Sequence, residues 1–419
     1  MTRILRGSRG LRILISARVA YAAAVIDRLG EIQLELRARG LAGWLLCDFR
    51  GQNPIAARAL GVSQVPLTRR WFYYVAADAM PVLLAHATEL DAFTEAPGDH
   101  VRFTSWTSLR AALERLVPVG GKVAMEFCAM GSNPYLSRVD AGTVDLVRSY
   151  GAEVVSSGDL VQHFLCRWEP EQLAAHRRAA TALGELCAET VASLGARLRA
   201  GERVHEHELQ EQLMRGLEAR GLVTEGRPIV AAGPHTASPH YVPTSATSAF
   251  LERGEVVLLE LWAREPALDA PFAEMAWVAV VEERVPPRLA AVFAVVVEAR
   301  DRAIELIRSR RAASKRVLGF EVDRAAREVV ARHGHSGRFP HRTGHHLSTV
   351  VNSGDAATLD DLEIHDTREL VPGLAWSVHP GLYFEEYGVR TAVDIYLDES
   401  GLLVTTPLQR EVTALLAPA

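Results

Sequence analysis

The feature that most constrains the fold is a change of pattern near Arg167-Trp168-Glu169-Pro170. Before it, helical periodicity alternates with short apolar runs. A helical repeat over residues 20–39 ends at Gly40, and the apolar run at residues 44–47 follows almost at once. Further strands are predicted at 71–75, 81–85 and 122–125, with a helix at 108–116. Because helices and buried strands alternate, this part of the chain is predicted to be an α/β domain.

After the change of pattern, the elements are longer and arranged differently. Two amphipathic helices are predicted, at 171–199 and 206–220, with glycines at their ends. Strands are expected at 228–232, 255–262, 272–281, 374–384 and 388–397, and further helices at 288–311 and 321–333. Helices mixed with antiparallel strands in this order predict an α+β domain.

Composition and charge exclude several classes of protein. Lysine and arginine total 46 against 51 acids, a net charge of -5, so nucleic acid and anionic membranes are poor partners. No uncharged apolar run is long enough to cross a bilayer. The four cysteines form no C-x-x-C pair, which predicts reduced thiols and a cytoplasmic protein.

The first 20 residues contain five arginines and no acid, a composition that resembles a targeting leader. There is no small-residue cleavage site after an apolar core. We therefore interpret residues 1–22 as an N-terminal extension ahead of the first domain.

Histidines are concentrated in one segment of the chain. Nine of the fifteen lie between His235 and His379, close to acids and glycines. A uniform distribution would place about five there. Clustered histidine and carboxylate side chains are typical of metal sites and acid-base sites.

A series of short motifs runs through this segment and beyond it. It comprises residues 233–240, 259–262, 273–277, His341-Arg342-Thr343-Gly344-His345-His346, 364–366, 378–381 and Gly388-Val389-Arg390-Thr391-Ala392. In order and content the series resembles the pita-bread metallopeptidase family, which includes Xaa-Pro dipeptidase, Xaa-Pro aminopeptidase, methionine aminopeptidase and creatinase. Residues 48–54 and 137–143 also look like the N-terminal domain of Xaa-Pro-peptidase-like proteins.

This resemblance covers nearly the whole chain and implies its architecture. The fold expected is α+β, with a smaller α/β N-terminal domain over 23–167 followed by a pita-bread catalytic domain over 168–419. The family's active site lies in the concavity of the sheet. A homodimer, in which the N-terminal domain closes the neighbour's cleft, is also expected by resemblance.

The family's dinuclear metal site uses two aspartates, one histidine and two glutamates, and by resemblance only His345 is kept here. The aspartates match Glu260 and Glu274, and the glutamates match His379 and Ala392. In the family, the second aspartate and the last glutamate bridge both metals. Alanine at the last position therefore implies the loss of one metal position.

The remaining ligands, Glu274, His345 and His379, form a set of two histidines and one carboxylate for one divalent metal, with Glu260 as a base or an extra ligand. Such a set suits zinc in a hydrolase and equally suits non-haem Fe(II) in oxygen chemistry, so zinc, iron and manganese all stay open. A metal-free site resembling creatinase, with His240 as acid or base, stays open too.

Four more residues are placed in the site by the same resemblance. The histidines His240, His341 and His365 match family histidines that contact substrate or stabilise the intermediate, and Arg390 matches an arginine behind the site. These positions imply that substrate polarisation and proton transfer are retained.

The function predicted is hydrolysis of a carbon-nitrogen bond in a small amino-acid-like or dipeptide substrate, with a remodelled mononuclear metal site or none. Two alternatives stand beside it. One is a non-haem Fe(II) oxygenase or lyase on the same fold. The other is a non-catalytic paralogue, in which the changed ligands are the result of decay.

Overall fold

The computed structural model describes residues 28–63, 65–350 and 353–418. The chain forms two compact units, Met1–Leu165 and Cys166–Ala419, which divide beside the change of sequence pattern. The expected N-terminal extension over 1–22 lies outside the described residues, as does the start of the helix predicted at residue 20. Among the described residues, no helix is long and apolar enough to span a bilayer.

The first unit is built on one six-stranded mixed sheet with the order β4-β3-β2-β1-β5-β6. Its strands are β1 (Gly43–Asp48), β2 (Trp71–Ala76), β3 (Val82–His86), β4 (Asp99–Phe103), β5 (Lys122–Met125) and β6 (Glu153–Ser156), and its helices are α1 (Leu29–Ala38), α2 (Pro54–Ala59), α3 (Trp106–Leu116), α4 (Ala141–Ser149) and α5 (Gly158–Val161). The central strand β1 is buried along its whole length, which explains its continuous apolar run.

The four strands predicted for this unit are confirmed, and two more are present. Strands β4 and β6 form the two edges of the sheet. In β4 the first four residues are exposed and only Phe103 is buried. An edge strand that faces solvent needs little apolar sequence, so periodicity did not reveal it.

The second unit begins with two long helices, α6 (Pro170–Arg199) and α7 (Glu206–Ala219), and contains two more, α8 (Pro287–Ala312) and α9 (Gly319–Arg332). Its strands are β7 (Ile229–Ala232), β8 (Val256–Ala263), β9 (Ala273–Val280), β10 (Gly344–His346), β11 (Leu374–Val378), β12 (Gly381–Tyr383), β13 (Gly388–Arg390), β14 (Val393–Leu397), β15 (Leu402–Val404) and β16 (Thr413–Ala414). They form sheets of order β16-β9-β8-β7 and β10-β11-β14-β15 and the hairpin β12-β13. The α+β expectation is confirmed.

Two strand predictions were wrong in extent. The strand expected over 374–384 is interrupted at His379-Pro380, and the one expected over 388–397 is interrupted at Thr391-Ala392. Pro380 has no N–H to donate to a ladder, and its carbonyl accepts a hydrogen bond from Thr391 N at 3.2 Å. The chain therefore changes partners at these points: β11 pairs with β14, whereas β12 pairs with β13.

Strand alternation in β8 and β9 separates a core face from a polar face. Leu259, Leu261 and Met275 belong to the core packed with the helices α6 and α7. Successive side chains in a strand point to opposite faces, so Glu260 and Glu274 lie on the other face. The pairing of Glu260 with Ala276 and of Trp262 with Glu274 places both acids on the same side of the sheet.

Candidate metal and catalytic site

Three side chains from separate strands converge in the second unit: Glu274 of β9, His345 of β10 and His379 after β11. Each offers one ligand atom, and these atoms lie within 4.8 Å of one another. Glu274 Oε2 is 3.4 Å from His345 Nε2, and Glu274 Oε1 is 3.5 Å from His379 Nδ1. All three side chains are at most 13% exposed. The structure thus brings together the three residues singled out in the sequence.

The pKa shifts of Glu274 and His379 suit metal ligands. Burial raises the pKa of Glu274, but the charge and hydrogen bonds of His345 and then of His379 outweigh it and hold that pKa well below its usual range. Burial lowers the pKa of His379 to about 4. A buried carboxylate with two imidazoles is a donor set that fits one divalent zinc, iron or manganese ion.

Two residues that sequence reasoning missed hold Glu274 in place. Ser377 Oγ donates to Glu274 Oε1 at 2.7 Å, and Glu274 N donates to Asp394 Oδ2 at 2.7 Å. Ser377 is paired with His345 across β10 and β11 and with Asp394 across β11 and β14. The sequence signal was the position of Ser377, two residues before His379 on one strand face.

Glu260 lies outside the three-residue group among the described residues and is paired instead with Arg390. Arg390 is 4% exposed and also donates to Pro239 O at 3.1 Å and to Tyr383 Oη at 3.4 Å. Burial raises the pKa of Glu260 to about 7, although the Arg390 guanidinium opposes the shift. Glu260 can therefore take up or release a proton near neutral pH.

His341 is joined to this arrangement through Tyr383. Its Nδ1 lies 2.9 Å from the carbonyl oxygen of Arg342, and its Nε2 lies 2.8 Å from Tyr383 Oη. A carbonyl only accepts, so Nδ1 carries the hydrogen and Nε2 accepts from the Tyr383 hydroxyl. Burial, followed by the charge of His379, lowers the pKa of His341 to about 3, which keeps the imidazole neutral.

The other two predicted histidines are exposed and are not members of the three-residue group among the described residues. His240 is exposed, next to Pro239, whose carbonyl accepts from Arg390. His365 has a 52% exposed side chain, is 2.6 Å from Asp361 Oδ1 through its Nδ1, and packs on the ring of Phe320.

Comparison with known proteins decides the family. The sequence profile of metallopeptidase family M24 matches residues 174–399, more than half of the chain. The chain belongs to metallopeptidase family M24. This match confirms the resemblance found in the motifs, and it includes Glu274, His345 and His379.

Relatives of this M24 protein agree with the assignment. A Xaa-Pro dipeptidase from Pyrococcus furiosus is 26% identical over 185 residues, which are 44% of this chain and 48% of that protein. The chain thus spans about half the length of the curated relatives that it matches.

Solved structures show the pita-bread fold over more of the chain. Dipeptidase PepE from Mycobacterium ulcerans has a TM-score of 0.68 at 19% identity and covers 94% of this chain and 98% of its own. A recombinant prolidase from Thermococcus sibiricus has a TM-score of 0.61 at 17% identity and covers 92% and 98%. At these identities the likeness shows the fold alone.

Proposed function

We propose that this M24 protein hydrolyses a carbon-nitrogen bond in a dipeptide or another small amino-acid-like substrate, with one divalent ion held by Glu274, His345 and His379. The observation that carries the proposal is the convergence of these three ligand atoms within 4.8 Å. The family membership and the names of the relatives, Xaa-Pro dipeptidase and prolidase, support a peptidase-like substrate.

One ion rather than two is supported by the residues beside this group. Ala392 is 1% exposed and offers only a methyl group, while its carbonyl accepts from Ala276 N at 3.3 Å. Glu260 is already paired with the Arg390 guanidinium. Within the part of the chain that the structure describes, the donors left close to one another are two imidazoles and one carboxylate, which is a ligand set for a single ion.

When bound, a divalent ion supplies positive charge that polarises a carbonyl group and acidifies water. The side chains of the protein transfer the protons and orient the groups that take part in the reaction. Glu260, with a pKa of about 7, accepts a proton from the attacking water and returns it to the departing amine. Arg390 orients Glu260, and Tyr383 holds His341 in the tautomer described above.

His240 and His365 are proposed to contact the substrate rather than the ion. His240 is exposed and adjoins Pro239, which ties its loop to Arg390. His365 is oriented by Asp361, and its 52% exposed side chain is accessible to a ligand.

The same donor set favours one second candidate function. Two histidines and a carboxylate with open positions are also the ligands of non-haem Fe(II) oxygenases. An oxygenase on this fold would consume oxygen, whereas a hydrolase turns over without it. Anaerobic assay of dipeptide cleavage therefore separates the two.

The experiment that tests the proposal is elemental mass spectrometry of protein purified without chelator or affinity-tag nickel. We expect about one zinc, iron or manganese ion per chain, lost in His379→Ala. His333→Ala is the matched control, because His333 has a 45% exposed side chain and pairs with Glu298, which is not one of the proposed ligands. No ion in wild-type protein, even after reloading, would refute the metal site.

A further inference from the structure

We propose that Asp323 is the positioning residue of the metal site: its buried carboxylate ties together the segments that carry His341, His345 and His379. This inference rests on the proposed function. Asp323 lies in α9, on a different element from all three histidines, and it is 0% exposed.

One oxygen of Asp323 holds Thr343, two residues before His345. Thr343 N donates to Asp323 Oδ1 at 2.9 Å, and Thr343 Oγ1 donates to the same oxygen at 2.6 Å. The carbonyl of Thr343 in turn accepts from His379 N at 2.7 Å. One carboxylate oxygen therefore holds Thr343, together with Leu359 O, and through Thr343 it is connected to the segments of both proposed histidine ligands.

The other oxygen reaches His341. Asp323 Oδ2 accepts from Arg327 Nε at 2.7 Å, and Arg327 donates to His341 O at 2.5 Å and to Phe339 O at 3.0 Å. The same oxygen accepts from Asp361 N at 2.9 Å. Asp361 is the residue that orients His365, so the network extends to every predicted site histidine except His240.

The geometry needs a carboxylate rather than a polar side chain in general. Each oxygen of Asp323 faces two donors. An asparagine with its NH₂ group towards Arg327 and Asp361 N would lose both hydrogen bonds on that side. With the NH₂ group towards Thr343 it would lose the bond from Thr343 N, although the Thr343 hydroxyl could turn to accept. Asp323→Asn keeps the size of the side chain, so its effect is on the placement of the connected segments.

Displacement of these segments should weaken metal binding more than it weakens the fold. Metal ligands tolerate only small shifts, and the loss of an outer partner typically costs 10–100-fold in metal affinity. We expect a loss in this range for Asp323→Asn, with an altered absorption spectrum of the Co²⁺-loaded protein because the positions of the ligand atoms would change.

The matched control is Glu126→Gln in the first unit. Glu126 is also 0% exposed and accepts from three side chains, those of Trp44, Asn53 and Ser157. The Glu126→Gln substitution removes a buried carboxylate that accepts several hydrogen bonds, and it leaves the residues of the metal site unchanged. We expect lower stability in Glu126→Gln, with Zn²⁺ affinity and the Co²⁺ spectrum unchanged.

Zn²⁺ affinity is measured by chelator competition well below the unfolding temperature of each variant. If Asp323→Asn does not fold, Thr343→Val is tested instead, because it removes one donor to Oδ1 and keeps the backbone bond; a several-fold loss is then expected. Wild-type affinity in the folded variant would overturn the positioning role. An equal loss in Glu126→Gln would overturn it as well.

A readout without metal separates failure of this inference from failure of the proposed function. Hydrogen exchange of the metal-free protein should be faster in peptides covering 341–346 and 377–380 for Asp323→Asn and unchanged there for Glu126→Gln. If wild-type protein binds no ion, the proposed function is wrong, and faster exchange still supports the positioning role. Unchanged exchange in these peptides refutes it.

Discussion

Ser377 provides the sharpest test of how the site holds its carboxylate. Ser377→Ala removes the hydroxyl that donates to Glu274 Oε1 at 2.7 Å and lies 3.3 Å from His379 Nδ1. Hydrogen bonds to charged groups are worth about 1.5–3 kcal/mol. Glu274 keeps its contacts with both histidines, so part of its orientation survives.

The expected magnitude follows from that partial loss. Removing an outer partner of a metal ligand costs about 10–100-fold in affinity, which corresponds to about 1.4–2.7 kcal/mol. The dissociation constant for Zn²⁺ is measured by competition with a chromophoric chelator, and stability by urea unfolding of the metal-free protein.

Ser157→Ala is a close chemical match for this change. Ser157 is fully buried, and its hydroxyl donates to the buried Glu126 at 2.9 Å in the other unit. Both variants delete one hydroxyl that donates to a buried glutamate, but only Ser377 contacts the proposed ligands. Wild-type Zn²⁺ affinity in Ser377→Ala, or an equal loss in Ser157→Ala, would refute the reasoning.

Two further predictions concern stability. His176 is 0% exposed, and burial lowers its pKa to about 4. Below pH 6.5 the unfolded chain therefore binds a proton at this histidine that the folded chain does not bind. For this reason the free energy of unfolding should fall by about 2 kcal/mol from pH 7 to pH 5, and it should fall less in His176→Asn. In Gly344→Ala, the new Cβ would lie 2.2 Å from Ser377 O, so we expect the free energy of unfolding, measured with urea, to fall by about 1–3 kcal/mol. In the control Gly337→Ala, no atom lies within 4 Å of the new Cβ, and we expect almost no change.

Long periodic segments were the part of the fold that the sequence predicted well. The helix expected over 171–199 spans Pro170–Arg199, with proline at its first position and a capping box at Glu169. The strands expected over 255–262 and 272–281 are β8 and β9. In these segments, propensity, capping and burial favour the same structure, so local pattern is sufficient.

Local sequence patterns did not predict the strands whose extent depends on pairing with a distant strand. Strand β10 contains only Gly344, His345 and His346, and it exists because it pairs with β11. The break at His379-Pro380 has a local cause in Pro380, but the break at Thr391-Ala392 reflects a change of partner strand. Partner choice depends on residues distant in the chain, so periodicity within a window does not contain it.

The sequence by itself determined the kinds of ligand available. Motif order indicated Glu274, His345 and His379, and the family match confirms the framework in which they were found. By resemblance to the family, the sequence also indicated that Ala392 offers a methyl group where the family has a ligand. The chemical type of a ligand depends only on which residue is present, and the sequence gives that directly.

Only the tertiary structure decided how these residues meet. The proposed ligands come from three segments that strand register brings within 4.8 Å. Register also places Ser377 against Glu274, and α9 carries the Asp323 carboxylate to Thr343. Glu260, expected as a ligand or a base, is paired with Arg390. Hydrogen bonds and ion pairs depend on distances of a few tenths of an ångström between groups far apart in the chain, and packing alone sets those distances.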